Sequence, residues 1–189
     1  SPRFCAYHAS NIDGVPQLNA NSSSLELLDV DQIEFVRGPQ GALYGRNTLG
    51  GLINVTSTRP SRTKWTGRVV GLPGDFHLGD VRGTASGPLI RDQLALGIGF
   101  GDSGRDGLTK NDVTGHDLDA RSAFFGKGQL LWTPNAAWQA RVIFTGERAR
   151  DGDYALGDLA ALRANPFHTS RDVEGFTARD IVATTLLVT

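Results

Sequence analysis

The chain contains one stretch that decides its fold, VDQIEFVRGPQGALYGRNTLGGLINVTSTRP, which runs from Val30 to Pro60. Two runs within it, Gln32–Arg37 and Leu52–Thr58, alternate apolar and polar residues, a pattern typical of half-buried strands. Closely spaced glycines separate the runs, and Gly38-Pro39 ends the first one because proline donates no backbone hydrogen bond. The stretch therefore predicts a strand, tight loops and a second strand.

Four short motifs follow one another along this stretch. They are IEFVRGP (33–39), LYG (43–45), GGLIN (50–54) and TRP (58–60), and IDGVP precedes them at 12–16. In order and spacing these motifs resemble the plug domain of TonB-dependent outer-membrane receptors. The resemblance implies that residues 1–60 are the C-terminal part of an α+β plug domain, which fits inside a β-barrel.

After Pro60 the sequence alternates apolar with polar or small residues in segments of about ten residues, a length that suits barrel strands. The strand-like segments lie near 65–69, 81–86, 93–100, 124–132, 138–147 and 178–189, and the faces of the last one are ambiguous. Short turns at 88–92 and 133–136 alternate with long polar connections at 102–120 and 148–177, as in outer-membrane barrels. We therefore expect 61–189 to be the N-terminal portion of a transmembrane β-barrel, with about six strands.

A soluble β-sandwich would also show alternating strands. A sandwich does not require that short and long connections alternate, and it does not require tryptophans such as Trp132 and Trp138 on either side of a short turn. The barrel is thus the favoured interpretation.

The predicted fold class is mainly β with a short helix. Ser23 and Glu26 have the spacing of a capping box and predict that helix over about Leu25–Val30. The α+β plug fragment would be followed by antiparallel barrel strands that form an incomplete barrel, because receptors of this class close with about 22 strands. The chain opens SPRF and contains no methionine, so we expect it to be a piece of a longer protein.

Composition excludes several classes of protein. The net charge of −1 gives no basic field for nucleic acid, and the single Cys5 cannot form an internal disulfide. The glycine-rich loop lacks the Gly-Lys-Ser/Thr ending of a phosphate loop, and no catalytic constellation is present, so we expect no enzyme and no cofactor. Two sets of residues could suggest a metal, but their spacing favours solvated polar residues over ligands. They are the histidines His8, His77, His116 and His168 and the loop aspartates Asp102, Asp106, Asp112, Asp117 and Asp119.

The resemblance also implies which residues carry function. Arg37 is the main candidate, because plug arginines in such receptors pair with glutamates on the barrel wall. The residues expected to pack the plug into the barrel are Glu34, Arg37, Gly38, Pro39, Arg46, Gly50 and Gly51. The apical plug loop corresponds to Gln17–Ser24, in which Asn19, Asn21, Ser22 and Ser23 offer amides and hydroxyls to an oxygen-rich ligand.

The implied function is energised uptake of a scarce nutrient across the outer membrane of a Gram-negative bacterium. The resemblance favours a ferric siderophore, so that the transported ligand is an iron chelate, with vitamin B12, haem and glycans as other substrates. The implied partners are the small-molecule ligand, outer-membrane lipid, and TonB with ExbB and ExbD, which a TonB box near the mature N-terminus would engage. The alternative is a non-transporting β-rich binding module or an outer-membrane adhesin, which would have no such box.

Overall fold

The computed structural model describes residues 8–17, 26–38, 51–154 and 157–189. The chain divides into two compact units, Ser1–Pro60 and Ser61–Thr189. Each unit is built around its own β-sheet.

The first unit contains a four-stranded sheet. Its strands are β1 (His8–Ile12), β2 (Val15–Gln17), β3 (Val30–Arg37) and β4 (Gly51–Ser57). They lie in the order β2-β1-β4-β3, with β1 parallel to β4 and the other two pairs antiparallel. The two strands predicted in the fold-deciding stretch, β3 and β4, are confirmed as neighbours in this sheet.

The turn between β1 and β2 is the one that Asp13-Gly14 predicts. Both residues have positive φ, 52° and 80°, as a two-residue hairpin turn requires. The Asp13 carboxylate then accepts hydrogen bonds from the backbone N of Ser57 at 2.9 Å and from its Oγ at 2.6 Å. One aspartate thus closes the hairpin and fixes the end of β4.

The predicted helix over Leu25–Val30 is wrong for the residues that the structure describes there. Residues 26–28 have no regular structure, Asp29 lies in a bend with φ of 54°, and Val30 already begins β3. The Asp29 carbonyl accepts a hydrogen bond from Thr58 N at 2.8 Å, and Leu28 is buried. This tertiary hydrogen bond and a buried leucine hold an irregular segment where the local capping signal favours a helix.

The prediction that both strands are half-buried holds for β4 only. Leu52 and Val55 on β4 are buried, whereas Phe35 on β3 is 72% exposed and Ile33 is also exposed. The reason is position, because β4 lies between two strands and β3 is at the edge of the sheet.

The second unit contains a six-stranded sheet in which every pair is antiparallel. Its strands are β5 (Thr66–Pro73), β6 (Gly79–Ile90), β7 (Leu94–Arg105), β10 (Arg121–Asn135), β11 (Trp138–Asp151) and β13 (Thr177–Val188). They lie in the order β13-β11-β10-β7-β6-β5. Each of these six strands is therefore hydrogen-bonded to the one that comes before or after it among them along the chain. All six predicted strand segments are confirmed, and the sheet does not close on itself.

The connections of this sheet differ at its two ends. Short turns over Arg91–Gln93 and Ala136-Ala137 occupy one end. The other end holds the long connections after β7 and β11, together with the five-residue connection 74–78 between β5 and β6. The long connections contain β8 (Thr109–Asn111), β9 (Asp117–Leu118), the helix α1 (Leu159–Ala164) and β12 (His168–Thr169). β8 pairs with both β9 and β12, so a small second sheet joins the two long connections.

Strand register assigns every side chain of the large sheet to one of two faces. One face, called the outer face below, carries exposed apolar side chains on all six strands. They include Val69, Val81, Ile98, Phe100, Phe124, Leu130, Trp132, Trp138, Val142, Phe144, Val182, Leu186 and Val188. The opposite face, called the inner face, carries buried polar groups such as Gln129, Arg141 and Glu147. The faces of β13, ambiguous in the sequence, are now resolved, with Val182 and Leu186 on the outer face and Arg179 on the inner face.

No helix among the described residues is long and apolar enough to cross a membrane.

Candidate functional site

Glu34 lies in the middle of β3, where side-chain amides bind its carboxylate. Gln32 Nε2 donates from the same strand at 2.9 Å, and Asn54 Nδ2 donates from the facing position of β4 at 2.9 Å. Both amides keep the carboxylate on the sheet surface. Glu34 is thus held by neutral donors in its own sheet, and Arg37 is exposed at the end of the same strand.

Gly51 begins β4 in a backbone conformation that only glycine adopts readily. Its φ is +137°, and a Cβ there would lie 2.6 Å from the carbonyl oxygen of Val36. Gly38, at the end of β3, also has positive φ, +85°, but the space around its missing side chain is open. Gly51 therefore permits a close approach between β3 and β4, whereas Gly38 permits a change of chain direction.

Several predicted site residues lie outside the described residues. They are Asn19, Asn21, Ser22 and Ser23 of the proposed ligand loop and Pro39, Arg46 and Gly50 of the proposed packing set. Of that packing set, the structure describes Glu34, Arg37, Gly38 and Gly51. All four belong to the paired strands β3 and β4 or to the residue that directly follows β3.

The inner face of the second sheet carries an arginine that contacts both a carboxylate and an aromatic ring. Arg82 donates from Nε and Nη2 to the two carboxylate oxygens of Asp80, both at 2.7 Å. Its guanidinium carbon also lies 5.1 Å from the centroid of the Phe125 ring. A bidentate pair stacked on an aromatic face is a geometry specific to arginine. The inner face thus combines a charged pair with an aromatic ring at this point.

A second ion pair lies on the inner face between β11 and β13. Arg179 Nη2 and Nε donate to Glu147 Oε1 at 2.6 Å and 3.1 Å. The Glu147 side chain is only 1% exposed and that of Arg179 is 18% exposed. The cation and its hydrogen bonds offset the cost of removing a carboxylate this deeply from water.

Glu174 ties the two long connections together. Its carboxylate accepts hydrogen bonds from Thr114 Oγ1, from His116 Nδ1 at 2.9 Å and from Asn111 Nδ2 at 2.8 Å. Asn111 is fully buried and also donates to the carbonyl oxygen of Arg171 at 2.8 Å. These contacts join segments about 60 residues apart in the sequence, so no local signal could have predicted them.

Hydrogen bonds from Thr114, His116 and Asn111 lower the pKa of Glu174 from 4.5 to about 2. A lowered pKa means that the folded chain binds the proton less tightly than the unfolded chain does. The contribution to stability is therefore complete above the ordinary pKa of 4.5 and is lost as the pH falls through about 2. The tie between the long connections is thus fully formed at neutral pH.

The histidines and aspartates of the loops form separate pairs. His77 contacts Asp106 at 2.6 Å, and His168 contacts Asp112 at 2.7 Å. Asp119 accepts hydrogen bonds from two backbone amides, those of Leu108 and Thr109. In the described parts of the chain, no three such side chains converge in a group that could hold a metal ion. The sequence did not predict these histidine–carboxylate contacts, which bring together residues 29 and 56 positions apart.

A polar cleft of about 470 Å³ opens on the outer face at the long-connection end of the large sheet, where Gly79, Gly104, Ser122 and Arg150 lie in one row across the strands. Its walls include His77, Arg105, Asp106, Arg121 and Arg150. Arg105 also approaches Asp119 at 3.5 Å. Arginines and hydrogen-bonding groups of this kind suit an anionic or oxygen-rich small molecule.

The fold and these groups define a class of protein. A small mixed sheet precedes a meander of long antiparallel strands, whose outer face is apolar and whose inner face is polar. The meander has only short turns at one end, and its two long, structured connections lie at the other. These are the features of an outer-membrane β-barrel protein that carries a plug.

Comparison with known proteins identifies the family within this class. The family model for the TonB-dependent receptor plug domain matches residues 8–52. A pesticin receptor from Yersinia enterocolitica is 36% identical over 126 residues, which are 66% of this chain and 18% of that protein. The vitamin B12 transporter BtuB of Vibrio vulnificus is 30% identical over 154 residues, 76% of this chain and 24% of that protein.

A solved structure agrees with these matches. The ferric yersiniabactin uptake receptor FyuA from Yersinia pestis superimposes with a TM-score of 0.83 at 25% identity, over 96% of this chain and 29% of that one. The chain thus spans less than a third of the length of each of these relatives. It belongs to the TonB-dependent receptors.

Proposed function

We propose that this chain is part of an energised uptake receptor for a ferric siderophore, located in the outer membrane of a Gram-negative bacterium. The observation that carries the proposal is the match to the ferric yersiniabactin uptake receptor over nearly the whole chain. The apolar outer face and the polar inner face of the large sheet support a position in a membrane barrel. The iron chelate would be transported cargo.

The rest of the receptor would supply the remaining barrel wall. Within the described parts of the chain, the large sheet ends in two edge strands, β5 and β13. An open apolar sheet in a membrane is costly because its edge groups lack hydrogen-bond partners. We assign residues 1–60 to the C-terminal part of the plug and 61–189 to the N-terminal portion of the barrel. TonB, with ExbB and ExbD, would energise transport through a segment of the plug outside this chain.

The ligand would bind the apical plug loop that the family resemblance implies, where Asn19, Asn21, Ser22 and Ser23 offer amide and hydroxyl groups. A second candidate cargo is vitamin B12, because a vitamin B12 transporter is 30% identical to this chain.

Uptake of a labelled ferric siderophore tests the proposal. A strain without its own receptor would express the receptor that contains this chain, with ferric yersiniabactin as the first probe and labelled vitamin B12 as the second. We expect iron accumulation that disappears when TonB is deleted. Accumulation of vitamin B12 alone would favour the second cargo, and iron uptake that persists without TonB would contradict energised transport.

We further propose that Arg37 and Arg46 hold the plug against carboxylates of the barrel wall. A bidentate pair between a guanidinium and a carboxylate contributes about 1.5–3 kcal/mol, so losing one should weaken plug retention by about tenfold or more. Arg37→Ala in the whole receptor should therefore lower TonB-dependent iron uptake and increase passive leak of a small antibiotic through the barrel. Both can be measured in the same cells.

Arg91→Ala is the matched control for this variant. Arg91 is an exposed arginine in a short turn, 3.9 Å from Asp92, and its removal should leave uptake and leak unchanged. Equal behaviour of the Arg37 and Arg91 variants would refute the assignment of Arg37.

A further inference from the structure

The outer face of the large sheet has a groove with a floor of glycines. Its volume is about 450 Å³, and its lining includes Gly126, Gly128 and Gly146. Gly126 and Gly146 face each other across β10 and β11. The rings of Phe124 and Phe144 stand beside this floor.

Two other glycines on the same face, Gly83 and Gly87, are covered by aromatic rings. A Cβ at Gly83 would lie 2.7 Å from the Phe100 ring, and one at Gly87 would lie 2.2 Å from the indole of Trp65. At the groove, by contrast, a glycine that faces a phenylalanine is not covered by its ring. Gly128 is directly opposite Phe144, yet no atom lies within 4 Å of the position of its missing Cβ. The glycines of the groove are therefore open between two aromatic rings, whereas Gly83 and Gly87 lie beneath rings.

The groove ends at a cluster of charges on its long-connection side. Arg150 Nη2 donates to both carboxylate oxygens of Asp180, at 3.0 Å and 2.7 Å. Arg148 lies beside the same carboxylate at the longer distance of 3.7 Å, and its side chain is 72% exposed. Two guanidinium groups thus share one carboxylate, which leaves a net positive charge at the mouth of an apolar groove.

We propose that this groove binds one acyl chain of a phosphate-bearing lipid, with the phosphate on Arg148. The apolar floor and rings suit a methylene chain that runs along the strands, and an exposed guanidinium binds phosphate oxygens bidentately. Basic residues next to apolar membrane surface recognise lipid headgroups in the same way. This inference rests on the proposed function, which places the outer face in the membrane. The bound lipid would belong to the leaflet on the side of the long connections.

Native mass spectrometry of the whole receptor tests this site. Receptor purified in detergent would be titrated with lipid A, a phosphorylated and acylated disaccharide, and with the same lipid after removal of its phosphates. We expect wild-type receptor to retain lipid A and to retain the dephosphorylated lipid about tenfold less well, because a charge-assisted contact is lost. Equal retention of the two lipids would overturn the role of phosphate.

Two variants fill the groove and one removes its charge. Gly126→Leu adds a Cβ without a clash, because the nearest atom to that Cβ is the carbonyl oxygen of Gly99 at 3.6 Å, and the rest of the side chain would extend into the groove. Gly128→Leu provides a second test should the first variant fail to fold, because the space at Gly128 is open. Each should lower retention of lipid A by about tenfold, since the chain loses several methylene contacts. Arg148→Gln should reduce the binding of lipid A to the level of the dephosphorylated lipid.

Gly71→Leu is the matched control, because Gly71 is an open glycine of the same outer face on β5, away from the groove. It should retain lipid A as the wild type does. Wild-type retention in a folded groove-filling variant, or equal loss in the Gly71 variant, would refute the groove. Uptake assays on the same cells separate the two proposals, because a transporting receptor that fails these tests refutes only the lipid site. A receptor absent from the membrane fraction would refute both.

Discussion

Gly51→Ala should disrupt the junction of β3 and β4 more than any other single methyl group added to the first sheet. The residue has φ of +137°, and the new Cβ would lie 2.6 Å from the Val36 carbonyl oxygen, which is a backbone atom and cannot rotate away. Backbone strain of this kind costs about 1–3 kcal/mol, and the steric clash adds to it. Hydrogen exchange of the β3 and β4 amides in the whole receptor should therefore accelerate about a hundredfold, which corresponds to roughly 3 kcal/mol.

Gly38→Ala separates the two causes of this effect. Gly38 also has a positive φ, +85°, but open space around it, so alanine there meets strain without a clash. A left-handed conformation costs an L-residue about 1–2 kcal/mol, and the exchange rates should rise by about tenfold. If the two variants accelerated exchange equally, the close approach of Gly51 to Val36 would contribute nothing to the stability of the junction.

The sequence predicted the strands well because their signal is local. Alternation along 93–100 follows from the pleat of a single strand, and the outer face of β7 follows directly from it. The turn at Asp13-Gly14 was equally predictable, because few residue pairs adopt two positive φ angles. These features need no knowledge of what lies across the sheet.

The features that the sequence did not predict depend on distant partners. Leu25–Val30 satisfies a capping rule, yet Thr58 and the burial of Leu28 fix an irregular segment over its described residues. Asn111 and Glu174 show the same limit at the candidate site, since their contact spans 63 residues. The sequence did not predict the groove of the outer face for a related reason. Whether a glycine is covered depends on the orientation of the ring in the facing strand, and alternation does not specify that orientation.

Glu147→Ala should be the most destabilising single change on the inner face of the large sheet. The Glu147 carboxylate is 1% exposed and receives two hydrogen bonds from Arg179, whose own side chain is 18% exposed. Removal of one partner of a buried pair leaves an uncompensated charge and typically costs about 3–5 kcal/mol. Unfolding of the whole receptor by guanidinium in lipid vesicles should show a loss of free energy in this range. The loss should be smaller for Glu147→Gln, whose amide oxygen still accepts a hydrogen bond.

Asp180→Asn is the control on the opposite face of the same two strands. Its partners are also arginines, Arg148 and Arg150, but the Asp180 side chain is 64% exposed. Solvent screens such a pair, so the expected loss is below about 1 kcal/mol. The contrast arises from burial, because both carboxylates accept hydrogen bonds from an arginine of the neighbouring strand. Equal losses for Glu147→Ala and Asp180→Asn would mean that water reaches the inner face as readily as it reaches the outer one.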